Sequence, residues 1–139
     1  MLKIREAKKA DSSKIVSFQL SMAKETENLD LDKEILEKGI AEVFMKPELG
    51  TYYVATWNEE VIGTLMITYE WSDWRNGMVW WIQSVYILSE HRSSGVFRKM
   101  YEYIQHIVSE KENVMGIRLY VDRTNIIAQK AYNKGARQI

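Results

Sequence analysis

One stretch of the chain brings together residues that could hold an anion. It reads Val85-Tyr86-Ile87-Leu88-Ser89-Glu90-His91-Arg92-Ser93-Ser94-Gly95-Val96-Phe97-Arg98. An apolar strand runs into a turn of small residues and then straight into a helix. The first backbone N–H groups of a helix lack partners inside it, and the helix dipole places about half a positive charge there. Small residues let a ligand approach that backbone, which suits the turn to a pyrophosphate. A plain helix cap explains the same residues equally well, and the pattern alone does not choose. The turn lacks the Gly-Lys-Ser/Thr ending of a P-loop, which argues against nucleoside triphosphate chemistry. It also lacks the three glycines of a dinucleotide fingerprint. The chain has no cysteine, so disulfides, thiolate metal sites and cysteine nucleophiles are excluded. His91 and His106 show no ligand set around them, and no metal is expected.

Periodicity gives the secondary structure around this turn. Residues 2–7 alternate as an edge strand would. Asp11 can cap a helix that begins near Ser12 and carries Ile15, Phe18 and Met22 at helical spacing. A polar stretch from Glu25 to Asp32 interrupts. A second amphipathic helix gathers Ile35, Leu36, Ile40, Val43 and Phe44 on one side, and Pro47 ends it. From Gly50 the period becomes two. Thr51–Thr56 and Val61–Tyr69 read as a hairpin turning at Asn58-Glu59. Glu70–Gly77 is polar but contains Trp71 and Trp74. Residues 78–87 form a long strand with Met78, Trp80, Ile82, Ser84 and Tyr86 facing one way and Val79, Trp81, Gln83, Val85 and Ile87 the other. A helix from about Gly95 to Glu110 buries Val96, Met100, Ile104, Ile107 and Val108. A short strand at Ile117–Val121 and a last helix at 125–134, capped by Gly135, complete the order β-α-α-β-β-β-α-β-α. The strand–helix–strand unit from 78 to 121 is expected to join parallel strands by a right-handed crossover, with the earlier strands in an antiparallel meander. The fold class is mixed α/β: a mostly antiparallel sheet with a central parallel βαβ unit and flanking helices.

The chain has 139 residues, the size of one domain, and neither repeats nor linkers divide it. Nineteen basic residues balance nineteen acidic ones, which argues against nucleic acid as a partner. No apolar run approaches the roughly 20 residues that span a bilayer, and the charged N-terminus lacks a signal core. The expected location is the cytoplasm, with no membrane contact.

The 85–98 stretch resembles the central motif of the GNAT superfamily of N-acetyltransferases. That motif is an Arg or Gln, two residues, a Gly, one residue, then Gly or Ala, directly after a strand. Arg92 and Gly95 match, whereas Phe97 stands where a second small residue is usual. A large side chain there is tolerable if only its backbone N–H meets phosphate and the ring turns into the core. A second match lies in Leu119–Ala136, where the family has a strand, an Asn, an Ala three residues on, a Tyr four further and then a Gly. Asn125, Ala128, Tyr132 and Gly135 fit, and Ala136 replaces a common Phe. The whole chain, 1–139, then reads as a single GNAT-like domain.

The resemblance implies transfer of an acetyl group from acetyl-CoA to an amine. The acceptor would be a small molecule or a peptide, reacting by direct attack in a ternary complex. It implies that the backbone of Val85, Tyr86 and Ile87 pairs with the pantetheine arm, and that the amides of Arg92, Ser93, Ser94, Gly95, Val96 and Phe97 hold the pyrophosphate. The Arg92 side chain could add charge there or point to solvent. Asn125 would hydrogen-bond the pantetheine, cap the last helix, or do both. Tyr132 would protonate the leaving thiolate, with packing on the last helix as its alternative role. Family members often place a carboxylate base on the long strand; here that position is within Trp81-Ile82-Gln83-Ser84. Gln83 could only orient a water, which leaves Glu70, Asp73, Glu25 and Glu27 as candidates that a solvated surface also explains. Trp80 and Trp81 are expected in the core or an interface, while Trp71 and Trp74 could wall an acceptor site. Members usually add closing strands after the last helix. We therefore expect those strands to be truncated, disordered or supplied by a partner, as in a homodimer. A non-catalytic acyl-CoA-binding or regulatory module is the second reading, and a Trp-rich interaction domain the third.

Overall fold

A computed structural model describes residues 1–119. These form a five-stranded sheet in the order β1-β2-β3-β4-β5, with helices on both faces. The strands are β1 (Leu2–Glu6), β2 (Thr51–Trp57), β3 (Glu60–Ser72), β4 (Gly77–Ile87) and β5 (Val114–Leu119). The helices are α1 (Ser12–Glu27), α2 (Lys33–Met45) and α3 (Val96–Ser109). Strands β1 to β4 are antiparallel neighbours, and β4 pairs with β5 in parallel across α3. The expected meander followed by a parallel βαβ unit is therefore present. The expected helix at 125–134 lies outside the described residues.

The β2–β3 hairpin turns at Asn58 and Glu59, both left-handed (φ 48° and 71°), as a two-residue turn requires to match strand twist. One apolar core lies between the sheet and α3. It contains Leu65, Ile67, Trp80, Ile82, Met100, Tyr101 and Ile104. A second lies on the opposite face, where α1 and α2 bring Ile15, Phe18, Ile40 and Val43 against Tyr52, Val54 and Tyr86.

Several local expectations change. Asp11 sits at the α1 N-cap position but makes no side-chain cap there. Its carboxylate instead accepts from the Arg5 guanidinium at 2.8 and 3.1 Å and from the Lys8 N–H at 2.7 Å; an ionic partner on β1 outcompetes the helix amides. The polar residues 25–27 continue α1, which stops at left-handed Asn28 (φ 51°). Ile35 leaves the buried side of α2 and is 68% exposed, while its N–H donates to the Asp32 cap. The polar stretch 70–77 shrinks to a turn, because Trp71 and Ser72 pair with Met78 and Gly77. Strand β5 likewise starts at Val114, three residues before the apolar run that announces it.

Candidate functional site

Strand β4 does not alternate strictly. Its pairing with β3 runs Met66↔Gln83 and then Thr64↔Tyr86, so Ser84 and Val85 together oppose Leu65. Ser84 takes a left-handed backbone (φ 56°). This is a β-bulge, which kinks a strand and re-aims the side chains beyond it. The expectation that Tyr86 shares a face with Trp80 and Ile82 is thereby overturned. Tyr86 points to α1 and packs on Phe18 with ring centres 5.3 Å apart. Val85 and Ile87 turn to the α3 side. The β4–β5 pairing runs from Met78↔Val114 to Ile82↔Leu119, Leu119 being the last described residue.

Beyond Ile87 the chain makes a single 3-10 turn (Ser89–His91) and enters α3 through Gly95. Ser93 and Gly95 are both left-handed (φ 66° and 84°). Among the described residues no side chain caps the start of α3, and its first turn holds no acidic residue. The opening N–H groups therefore face outward with the dipole's positive end behind them. Among the described residues, a Cβ built on Gly95 would meet nothing within 4 Å. These residues fit an acyl-CoA pyrophosphate held by backbone amides. The Phe97 ring packs against the α3 core and lies 6.2 Å from the Tyr101 ring, which leaves its amide at the helix start.

The Arg92 side chain turns back from the helix start. Its Nε donates to the Ile87 carbonyl at 2.7 Å, one terminal nitrogen donates to Glu25 Oε1 at 2.8 Å, and the guanidinium lies 5.1 Å over the Tyr86 ring. The Tyr86 hydroxyl donates to the other oxygen of Glu25 at 2.5 Å. The Tyr86 hydrogen bond, aided by Arg92, holds the Glu25 carboxyl below its ordinary range against some desolvation. Burial, then the bond to Glu25, raises the Tyr86 phenol, which stays protonated. In the sequence Glu25 is one of four loose carboxylates; its partners lie 61 and 67 residues away, and no local spacing signals them.

The other candidate residues divide. Gln83 donates its amide to Thr68 Oγ1 at 2.7 Å. Glu70 accepts from Trp81 Nε1 at 2.8 Å and from Arg118 at 3.2 Å, and Arg118 lies over the Trp81 ring. Trp80 is in the core. Glu27 lies in the last turn of α1 and Asp73 in the β3–β4 turn, both exposed. Trp74, 93% exposed, also sits at the β3–β4 turn. Seven residue steps along β4 separate Gly77 from Ser84, about 23 Å at strand rise. The structure therefore does not bring Trp74 to the anion-binding turn. Asn125 and Tyr132 lie outside the described residues.

The mixed sheet, with the bulged β4 in its parallel pair and a helix start beyond the bulge, is a GNAT-like acetyltransferase fold. The model of the acetyltransferase (GNAT) family matches residues 14–136, and the chain belongs to that family. It is 42% identical to a "possible acetyltransferase" of Clostridium difficile 630, whose crystal structure superposes with a TM-score of 0.87 over 96% of this chain and 88% of that one. The fold is shared with a "predicted acetyltransferase with acetyl-CoA" from Clostridium acetobutylicum (19% identity, TM-score 0.78, 100% and 91% coverage). It is shared too with a ribosomal-protein-alanine N-acetyltransferase of Brucella melitensis (12% identity, TM-score 0.81, 100% and 93% coverage). No match was found among curated proteins. Among the described residues, no helix is long and apolar enough to cross a membrane.

Proposed function

We propose that this chain, acting as one domain over residues 1–139, is an acetyl-CoA-dependent N-acetyltransferase of the cytoplasm. Its acceptor is an amine on a small molecule or peptide, and attack is direct. The observation that carries this reading is the bulge at Ser84 followed by the uncapped start of α3 at Gly95. Acetyl-CoA would supply an activated thioester. The amides of Ser93 to Phe97 would hold its pyrophosphate, and the backbone of Val85 to Ile87 would align its pantetheine arm. Asn125 is proposed to support that arm. Tyr132 is proposed to give its phenolic proton to the departing thiolate, which has similar basicity, with both near pKa ~9–10.

The test is thiol release from acetyl-CoA with a panel of amines. Tyr132→Phe is expected to lower kcat by about 10²-fold, the lower range for a lost general acid, with acetyl-CoA affinity retained. Unchanged turnover in Tyr132→Phe would remove that role. Acetyl-CoA binding with no turnover on any amine would leave a binding module instead.

A further inference from the structure

We propose that Glu25 is a positioning residue of the acyl-CoA turn: by anchoring Arg92 against the Ile87 carbonyl, it ties α1 to the segment that presents the open amides of α3. The inference rests on the acyl-CoA reading above and adds a residue from a distant element to it.

The turn's backbone is irregular. Ser93 and Gly95 both take left-handed backbone, and α3 starts without a side-chain cap. Ser94 closes only a local bond to the His91 carbonyl. Arg92 reaches from the turn to α1, and it is held from three sides by Ile87, Tyr86 and Glu25. Of these, Glu25 alone is anionic. Its two oxygens are both occupied, one by Arg92 and one by Tyr86. An acid so engaged is poorly suited to take a proton from an ammonium group, which separates it from a general base. The ion pair is half-exposed on both sides, so its effect is modest, but the short hydroxyl–carboxylate bond adds to it.

The experiment compares wild type with Glu25→Gln, Arg92→Met and the double variant, using calorimetric titration of acetyl-CoA, steady-state kinetics and backbone amide exchange without ligand. Glu25→Gln is expected to raise Kd and KM for acetyl-CoA about fivefold, or about 1 kcal/mol, with kcat within about twofold. Amide exchange over residues 92–97 is expected to accelerate in the ligand-free protein. The double variant should be no weaker than Arg92→Met alone, because the two act through one tie. Unchanged Kd and unchanged exchange in Glu25→Gln, or additive losses in the double variant, would overturn the proposal. A collapse of kcat with loss of the acid limb of kcat/KM would overturn it as well, and make Glu25 the base. A wild-type protein that binds no acetyl-CoA sinks both readings, whereas normal wild-type binding with unaffected variants sinks only the role of Glu25.

Discussion

The two ends of β4 are built on different principles. From Met78 to Ile82 the strand is paired on both sides, to β3 and, with one register shift at Met78/Val79, to β5, and Met78, Trp80 and Ile82 share the α3 face. From Gln83 to Ile87 it stays paired to β3 through a bulge, and Glu25 of α1 accepts a hydrogen bond from its Tyr86. The regular end is stabilised by burial and backbone ladders. The irregular end re-aims its side chains, sending Tyr86 to α1 and Val85 and Ile87 to α3. Irregularity beside a helix start without a side-chain cap suits a site, because a bulge re-aims the side chains beyond it.

The sharpest break between the ends should come from truncating the regular one. Ile82 is fully buried in the α3 core. Ile82→Ala is expected to cost about 3 kcal/mol of stability, the usual range for a buried Ile truncated to Ala, measured by denaturant unfolding. Acetyl-CoA affinity of the folded fraction should change little. A loss of affinity as large as the loss of stability would mean that the two ends are not separable.

At the bulge the balance reverses. Ser84→Val places a β-branched residue in left-handed backbone, at a cost of about 1.5 kcal/mol. The smaller destabilisation should come with a clear loss of acetyl-CoA affinity, because relief of the strain requires the strand to straighten. Ser84→Gly should keep both. If Ser84→Val binds as wild type does, the bulge is structural only.

The same division explains how much can be read from the sequence. The regular features announce themselves: the Val96-Met100-Ile104 stripe of α3, the Asn58-Glu59 turn and the alternation through Ile82. Each is a local signal with a fixed period. The bulge does not, because Ser84 carries no mark of left-handed backbone as a glycine would. Strict alternation therefore puts Tyr86 on the wrong face. The full length of β3 is hidden because Trp71 and Ser72 are strand only by virtue of Met78 and Gly77 across the hairpin. Spacing alone places Ile35 in the core, yet the helix needs its amide near the Asp32 cap more than its side chain inside. The site is legible as a turn because Gly95 is one of few places where only glycine is comfortable. Its support by Glu25 is not, because that contact exists only after α1 has docked.

Acid should act on the irregular end through Glu25. Its carboxyl is depressed in the folded protein, so the unfolded chain binds that proton more readily. Stability from this group is therefore fully present above the ordinary carboxylate value of 4.5 and is lost as pH falls through the lower folded value. The difference in Tm between wild type and Glu25→Gln should be largest near neutrality and shrink toward zero in acid. A difference that is constant with pH would mean that the charge of Glu25 contributes nothing to holding the turn.

The smallest effect should come from the polar network at the regular end. Glu70 holds Trp81 and Arg118 across three neighbouring strands, but both members of the ion pair are substantially exposed. Solvent and salt screen such a pair, so it is worth about 0.5 kcal/mol. The register of β4 on β5 is already fixed by continuous backbone pairing from Val79 to Ile82, and a surface contact adds little to it. A double-mutant cycle of Glu70→Gln and Arg118→Met, read by unfolding, should give a coupling near that value and leave acetyl-CoA affinity unchanged. Glu70 is also a candidate base, which makes the kinetics decisive here. If Glu70→Gln abolishes turnover while stability barely moves, the carboxylate belongs to the chemistry, and the site extends past the bulge into the half of β4 assigned to structure alone.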